Sequence, residues 1–164
     1  MRLLSVLMLL SFASGAYASE CDTGFNEPDL IASIGKKPEK VQSIKDGSMV
    51  RHQYSFRKDI TDEEAFDENS KAMYEPQLYV TVYEPPCSRK VIISFYGNDD
   101  KTLNVINVSL AGNAYEYLTG AGAEAFDNRL SKLKHVNRFE SYDDKADSLF
   151  AKIDNQYSIQ INMK

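Results

Sequence analysis

The stretch QLYVTVYEPPCSRKVIISFYGNDDKTLNVINVSL, Gln77 to Leu110, decides the fold. It reads as a three-strand meander: Leu78–Tyr83, Lys90–Tyr96 and Leu103–Leu110. Successive side chains of an extended chain point to opposite faces. Leu78, Val80 and Val82 therefore share one face, and Tyr79, Thr81 and Tyr83 the other. Val91, Ile93 and Phe95 repeat the pattern, with Ile92, Ser94 and Tyr96 opposite. In the third segment the apolar positions change parity between Val105 and Ile106, which predicts a bulge or burial on both faces. Pro85 and Pro86 cannot continue a ladder, so Glu84-Pro85-Pro86-Cys87-Ser88 is the first turn. Gly97-Asn98-Asp99-Asp100-Lys101 is the second.

Upstream, Val41–Ile44 and Met49–Phe56 form a hairpin around Asp46-Gly47, a pair favoured in tight primed turns. A short helix, Leu30–Ile34, precedes it, capped by Asp29 and stopped by Gly35. The run Ile34-Gly35-Lys36-Lys37-Pro38-Glu39-Lys40-Val41, with the strand carrying Tyr54, resembles one repeat of the small bacterial outer-membrane-assembly lipoproteins and β-lactamase-inhibitor-like domains. It departs from that pattern by an extra lysine before the proline. The resemblance implies a helix-then-hairpin topology and, as a function, an envelope-assembly or scaffold module.

Downstream, Asn113 caps a helix from Ala114, which Gly120 and Gly122 bend or divide, each costing about 1 kcal/mol relative to alanine. Its second half, Ala123–Leu133, places Phe126, Leu130 and Leu133 on one face. Val136–Tyr142 and Ser148–Ile153 are strand segments split by Asp143-Asp144-Lys145. After a turn at Asn155-Gln156, Tyr157, Ile159, Ile161 and Met163 alternate with polar residues, the mark of a half-buried last strand. The expected fold is α+β: an antiparallel sheet made of the central meander 78–110, the N-terminal hairpin and the C-terminal strand, covered by helices in a single domain, 19–164.

Residues 1–18 read as a secretory signal peptide: Arg2, the apolar run Leu3–Phe12, then Ala16-Tyr17-Ala18 as the cleavage site. The run is too short to span a bilayer comfortably. Cys21 follows Glu20, whereas a lipoprotein signal wants a small residue there. The expected product is periplasmic or secreted, with no stable membrane anchor. Cys21 and Cys87, two cysteines in an oxidising compartment, predict one disulfide. Closing so long a loop contributes about 4 kcal/mol in the chain-entropy model. Removing residues 1–18 leaves 18 basic against 24 acidic residues, a net charge of −6. That balance argues against nucleic acid or an anionic membrane as the main target.

The residues offer little for catalysis. No nucleophile-elbow, phosphate-loop or zinc-protease pattern occurs, and neither a metal nor a cofactor is expected. The 2 histidines are His52, in a strand pattern that makes it a packed or hydrogen-bonded residue, and His135, in a basic group with Arg129, Lys132, Lys134 and Arg138. Asn107-Val108-Ser109 fits the N-glycosylation pattern but falls inside a predicted strand. Two features point to protein recognition. Between Asp59 and Glu75 seven acids (Asp59, Asp62, Glu63, Glu64, Asp67, Glu68 and Glu75) stand against Lys71 alone, so this segment equals the net charge of the mature chain. Thr61 and Glu64 form a capping box for a polar helix there. The chain also has 10 tyrosines and no tryptophan, and Tyr74, Tyr79, Tyr83 and Tyr96 cluster in or beside the meander. Tyrosine gives rigid amphipathic contact area. The expectation is an exported, non-enzymatic protein-binding domain, of inhibitor or immunity type, that neutralises a basic cell-wall-directed enzyme through the acidic segment and the tyrosine face.

Overall fold

The computed structural model describes residues 25–57, 63, 77–83, 89–97 and 101–164. The signal segment, Cys21, Cys87, Tyr74 and the acids of 59–75 other than Glu63 lie outside the described residues. The order is α1 (Glu27–Ser33), β1 (Lys40–Asp46), β2 (Met49–Ser55), β3 (Leu78–Tyr83), β4 (Lys90–Tyr96), α2 (Lys101–Thr119), α3 (Ala123–Lys132), β5 (Arg138–Tyr142), β6 (Ala146–Ile153) and β7 (Gln156–Met163). The strands form one seven-stranded sheet in the order β1-β2-β3-β4-β7-β6-β5. All neighbours are antiparallel. The chain thus has the expected α+β architecture with an antiparallel sheet under helices.

The local chemistry is legible at most boundaries. Asn26, not Asp29, caps α1: its side-chain oxygen accepts from Asp29 N at 3.1 Å, and Pro28 sits in the first turn. Gly35 follows at φ +81°, a left-handed position that costs glycine nothing sterically. Gly47, at φ +61°, opens the two-residue loop between β1 and β2. The last hairpin turns on Asp154-Asn155, one residue earlier than expected, with Asp154 at φ 52°.

The main correction falls on Leu103–Leu110. This segment is not the third strand of the meander; it belongs to α2, which runs unbroken past Asn113 to Thr119. Asn113 therefore caps nothing and instead donates Nδ2 to Ile34 O at 3.2 Å, tying α1 to α2. Buried positions recur at Leu103, Asn107, Ala111, Ala114, Tyr115 and Leu118, a helical spacing. Val105 and Ile106, whose β-branching suggested a strand, face solvent. The place assigned to that third strand, beside β4, is taken by β7.

One core unites the layers. Leu30 and Ile34 of α1, Tyr115 and Leu118 of α2 and Phe126 of α3 pack on Val80, Val82, Ile93, Phe150 and Ile159 of the sheet. Each such side chain contributes about 1.5–3 kcal/mol on burial. Tyr115, Phe126 and Phe150 meet in a cluster of rings with centroids 5.1–6.1 Å apart. Helices α2 and α3 approach closely at Gly112, where a Cβ would lie 3.3 Å from Phe126 Cδ1.

Asn107 fixes how α2 meets the sheet. It is only 2% exposed. Its Oδ1 accepts from Gln77 N at 3.1 Å, and its Nδ2 donates to Tyr96 O at 3.0 Å. The side chain thus clamps the start of β3 to the end of β4. A buried amide committed in this way also leaves no room for a glycan at the Asn107-Val108-Ser109 triplet. Replacing Asn107 with alanine leaves both backbone groups without their partner, and we expect a loss of roughly 2 kcal/mol, read as a lower urea midpoint with an unchanged slope.

Candidate functional site

Helices α1, α2 and α3 cover one face of the sheet. The other face collects the alternate residues of every strand. Tyr79, Thr81 and Tyr83 stand on β3 beside Ile92, Ser94 and Tyr96 of β4. The three described tyrosines of the expected recognition face therefore share the side away from the core, Tyr79 and Tyr96 at one end of it and Tyr83 at the other. Tyr79 and Tyr96 meet edge to face, with centroids 6.5 Å apart. Tyr83 lies at the far end of β3, its ring 4.6 Å below the Lys90 ammonium, with Arg51 opposite it on β2. Beyond β4 the same face continues through Gln160 and Asn162 of β7 and Leu149 and Asp147 of β6 to Glu140 and Tyr142 of β5.

This surface has the dimensions of a recognition site. Seven strands at a spacing of about 4.8 Å make a face about 29 Å wide, and strands of five to eight residues make it roughly 20 Å long. One partner's share of a standard protein interface is about 800 Å², the same order. Its composition mixes tyrosine and isolated aliphatics with amides and charges of both signs. Of the acids assigned to partner binding, Glu63 alone is described, and it is exposed.

Two polar clusters on the helical side escaped the sequence reading. In the first, the Glu27 carboxylate at the start of α1 accepts from the Tyr54 hydroxyl at 2.7 Å and lies 2.9 Å from His52 Nδ1. His52 and Tyr54 share a face of β2, which alternation showed; that Glu27 would reach them had no local signal. His52 is thus a hydrogen-bonded strand residue. In the second, Arg129 of α3 grips Asp143 through two bonds of 2.7 and 2.9 Å. Both side chains are largely buried, at 16% and 12% exposure. The Tyr115 hydroxyl donates to Asp143 Oδ2 at 2.8 Å and also contacts Arg129 and Ser148. The cluster locks α2 and α3 onto the turn between β5 and β6. Burial pushes the Tyr115 phenol above its ordinary value.

The helical layer also contains a groove of about 520 Å³ between α2, α3 and the ends of β4 and β7. Phe95, Val108, Leu130 and Tyr157 line it, together with Asp127 and Lys134. It adjoins a second hollow of about 380 Å³. No group of three or more metal-ligating side chains occurs among the described residues. No described helix is long and apolar enough to cross a membrane. Comparison with protein-family models, curated proteins and solved structures gave no match.

Each cluster has a measurable consequence. Asp143→Ala strands the Arg129 guanidinium in a largely buried setting and is expected to cost roughly 3 kcal/mol, measured by chemical denaturation. The Tyr54 phenol is raised above its ordinary value of 10.0 by burial first, then by its hydrogen bond to Glu27 and the charge of that carboxylate. The unfolded chain releases this proton near pH 10 while the folded chain holds it. The stabilisation is therefore complete below that pH and drains away as pH rises above it. Tyr54→Phe removes the effect, so its urea midpoint falls less steeply than that of the parent protein when pH is raised through this range.

Proposed function

We propose that this protein is an exported protein-binding domain of inhibitor type, and that it meets its partner with the sheet face carrying Tyr79, Tyr83 and Tyr96. The observation that carries the reading is that face itself. Three tyrosines separated in the sequence share the side of the sheet away from the core, outside the buried cluster that holds the fold together. A large aromatic held on a rigid strand loses little conformational entropy on contact, which makes it a natural anchor in an interface. The charge of the segment 59–75 adds the second element. Seven acids against one lysine favour a basic partner and speed its approach. A cell-wall-directed enzyme, itself drawn to an anionic polymer, has that chemistry.

The test uses purified protein against basic wall hydrolases, with substrate turnover as the readout. Inhibition is expected, and Tyr79→Ala with Tyr83→Ala should weaken it by roughly thirtyfold, the effect of losing about 2 kcal/mol of anchor contact. Neutralising Asp59, Asp62, Glu63, Glu64, Asp67 and Glu68 to their amides should slow association and flatten its salt dependence. Inhibition that survives both sets of substitutions unchanged would overturn the reading.

A further inference from the structure

We propose that this protein pairs with a second copy of itself along the outer edge of β5, joining two seven-stranded sheets into one continuous sheet. The inference is independent of the inhibitor reading. β5 is the last strand of the sheet, and among the described residues nothing pairs with its outer side. Lys152 N donates to Asn137 O, and Asp143 N to Ala146 O, so the odd-numbered residues of this segment turn their backbone groups inward to β6. In an antiparallel ladder bonding alternates residue by residue. Arg138, Glu140 and Tyr142 therefore turn their N–H and C=O groups outward, available to another strand.

Two copies related by a two-fold axis can meet only in registers centred on one residue. Centring on Glu140 sets two carboxylates face to face, and centring on Arg138 sets two guanidinium groups face to face. Centring on Phe139 places Arg138 of each copy directly opposite Glu140 of the other, in hydrogen-bonded pairs. The same register brings the Tyr142 side chain of one copy beside that of Val136 of the other; Val136 precedes β5 and its own N–H is bonded to Lys132 O, so this contact is between side chains at the end of the ladder. These side chains are 69% and 45% exposed, and Ile153, beside Val136, is 72% exposed. Centring on Ser141 also answers the charges, but it sets Arg138 against Asp144 of the turn beyond the strand; the Phe139 register answers both charges within β5 and brings three exposed apolar side chains to the seam, twice. On the other outer strand, β1, centring on Ser43 matches Lys40 with Asp46 but sets the exposed Val41 against Lys45, so there an apolar side chain faces a charge instead of another apolar group. In the isolated chain the Tyr142 hydroxyl is bonded to Glu140. Both residues project from the same face of β5, so that bond persists beside the new pair.

The test is the oligomeric state by sedimentation equilibrium from micromolar to millimolar protein, with circular dichroism confirming that each variant is folded. A monomer–dimer equilibrium is expected for the parent. Arg138→Glu and Glu140→Arg each replace two attractive contacts with two repulsive ones, and each should weaken self-association by roughly tenfold or more. The decisive measurement is the mixture. An Arg138→Glu chain and a Glu140→Arg chain are mutually complementary in this register, so together they should form a heterodimer as tight as the parent dimer. A parent monomeric throughout the range, or a parent dimer indifferent to both substitutions, or single variants that fail to recombine, would each overturn the proposal.

Discussion

Seven residue pairs between β4 and β7, from Lys90 with Asn162 to Tyr96 with Gln156, hold the two parts of this protein in one sheet. The four strands before α2 form one meander and the three strands after α3 form another. Neither has a helical layer of its own that would bury it completely. Only when β4 and β7 lie side by side do Val91, Ile93 and Phe95 continue the apolar surface of Ile159 and Ile161, and α2 then closes over both. The pairing also makes the far side of the sheet a single surface, continuous from β1 to β5. The single core and the continuity of that surface depend on this one ladder, whereas the tyrosines themselves sit on β3 and β4.

Strands were readable because period two is hard to imitate. Leu78–Tyr83 and Lys90–Tyr96 carry strict alternation, and the structure reproduces their expected limits. The last strand was readable for the same reason, with Ile159, Ile161 and Met163 buried. The segment Leu103–Leu110 misled because β-branched residues suggest a pleated surface. Here Val105 and Ile106 are exposed on a helix, while the polar Asn107 occupies its buried stripe. Counting only apolar residues breaks the helical pattern at the residue that matters most for docking α2. Tertiary hydrogen bonds to Gln77 and Tyr96 supply what local propensity does not.

The proposed site divides in a similar way. That Tyr79 and Tyr83 share a face follows from alternation, and that Tyr96 joins them follows from the β3–β4 register. That this face is the one turned away from the helices follows from Val80 and Ile93 being the buried partners. The contacts of Glu27 with His52 and Tyr54, and of Arg129 with Asp143, were invisible because each links different elements through tertiary packing that no local pattern marks. Such pairs become predictable only once the sheet order is known.

The position of β7 has a temporal consequence. It enters the interior of the sheet although it is the last strand in the order of elements, between β4, which lies two helices and two strands earlier, and β6. Ladders of such high sequence separation close late, because the ordering entropy of the intervening chain must be met before any of the contacts form. While the chain is still being synthesised its first meander has no neighbour for β4, so native assembly waits for β7. A polypeptide delayed in this way completes its sheet only when every strand through β7 has been made.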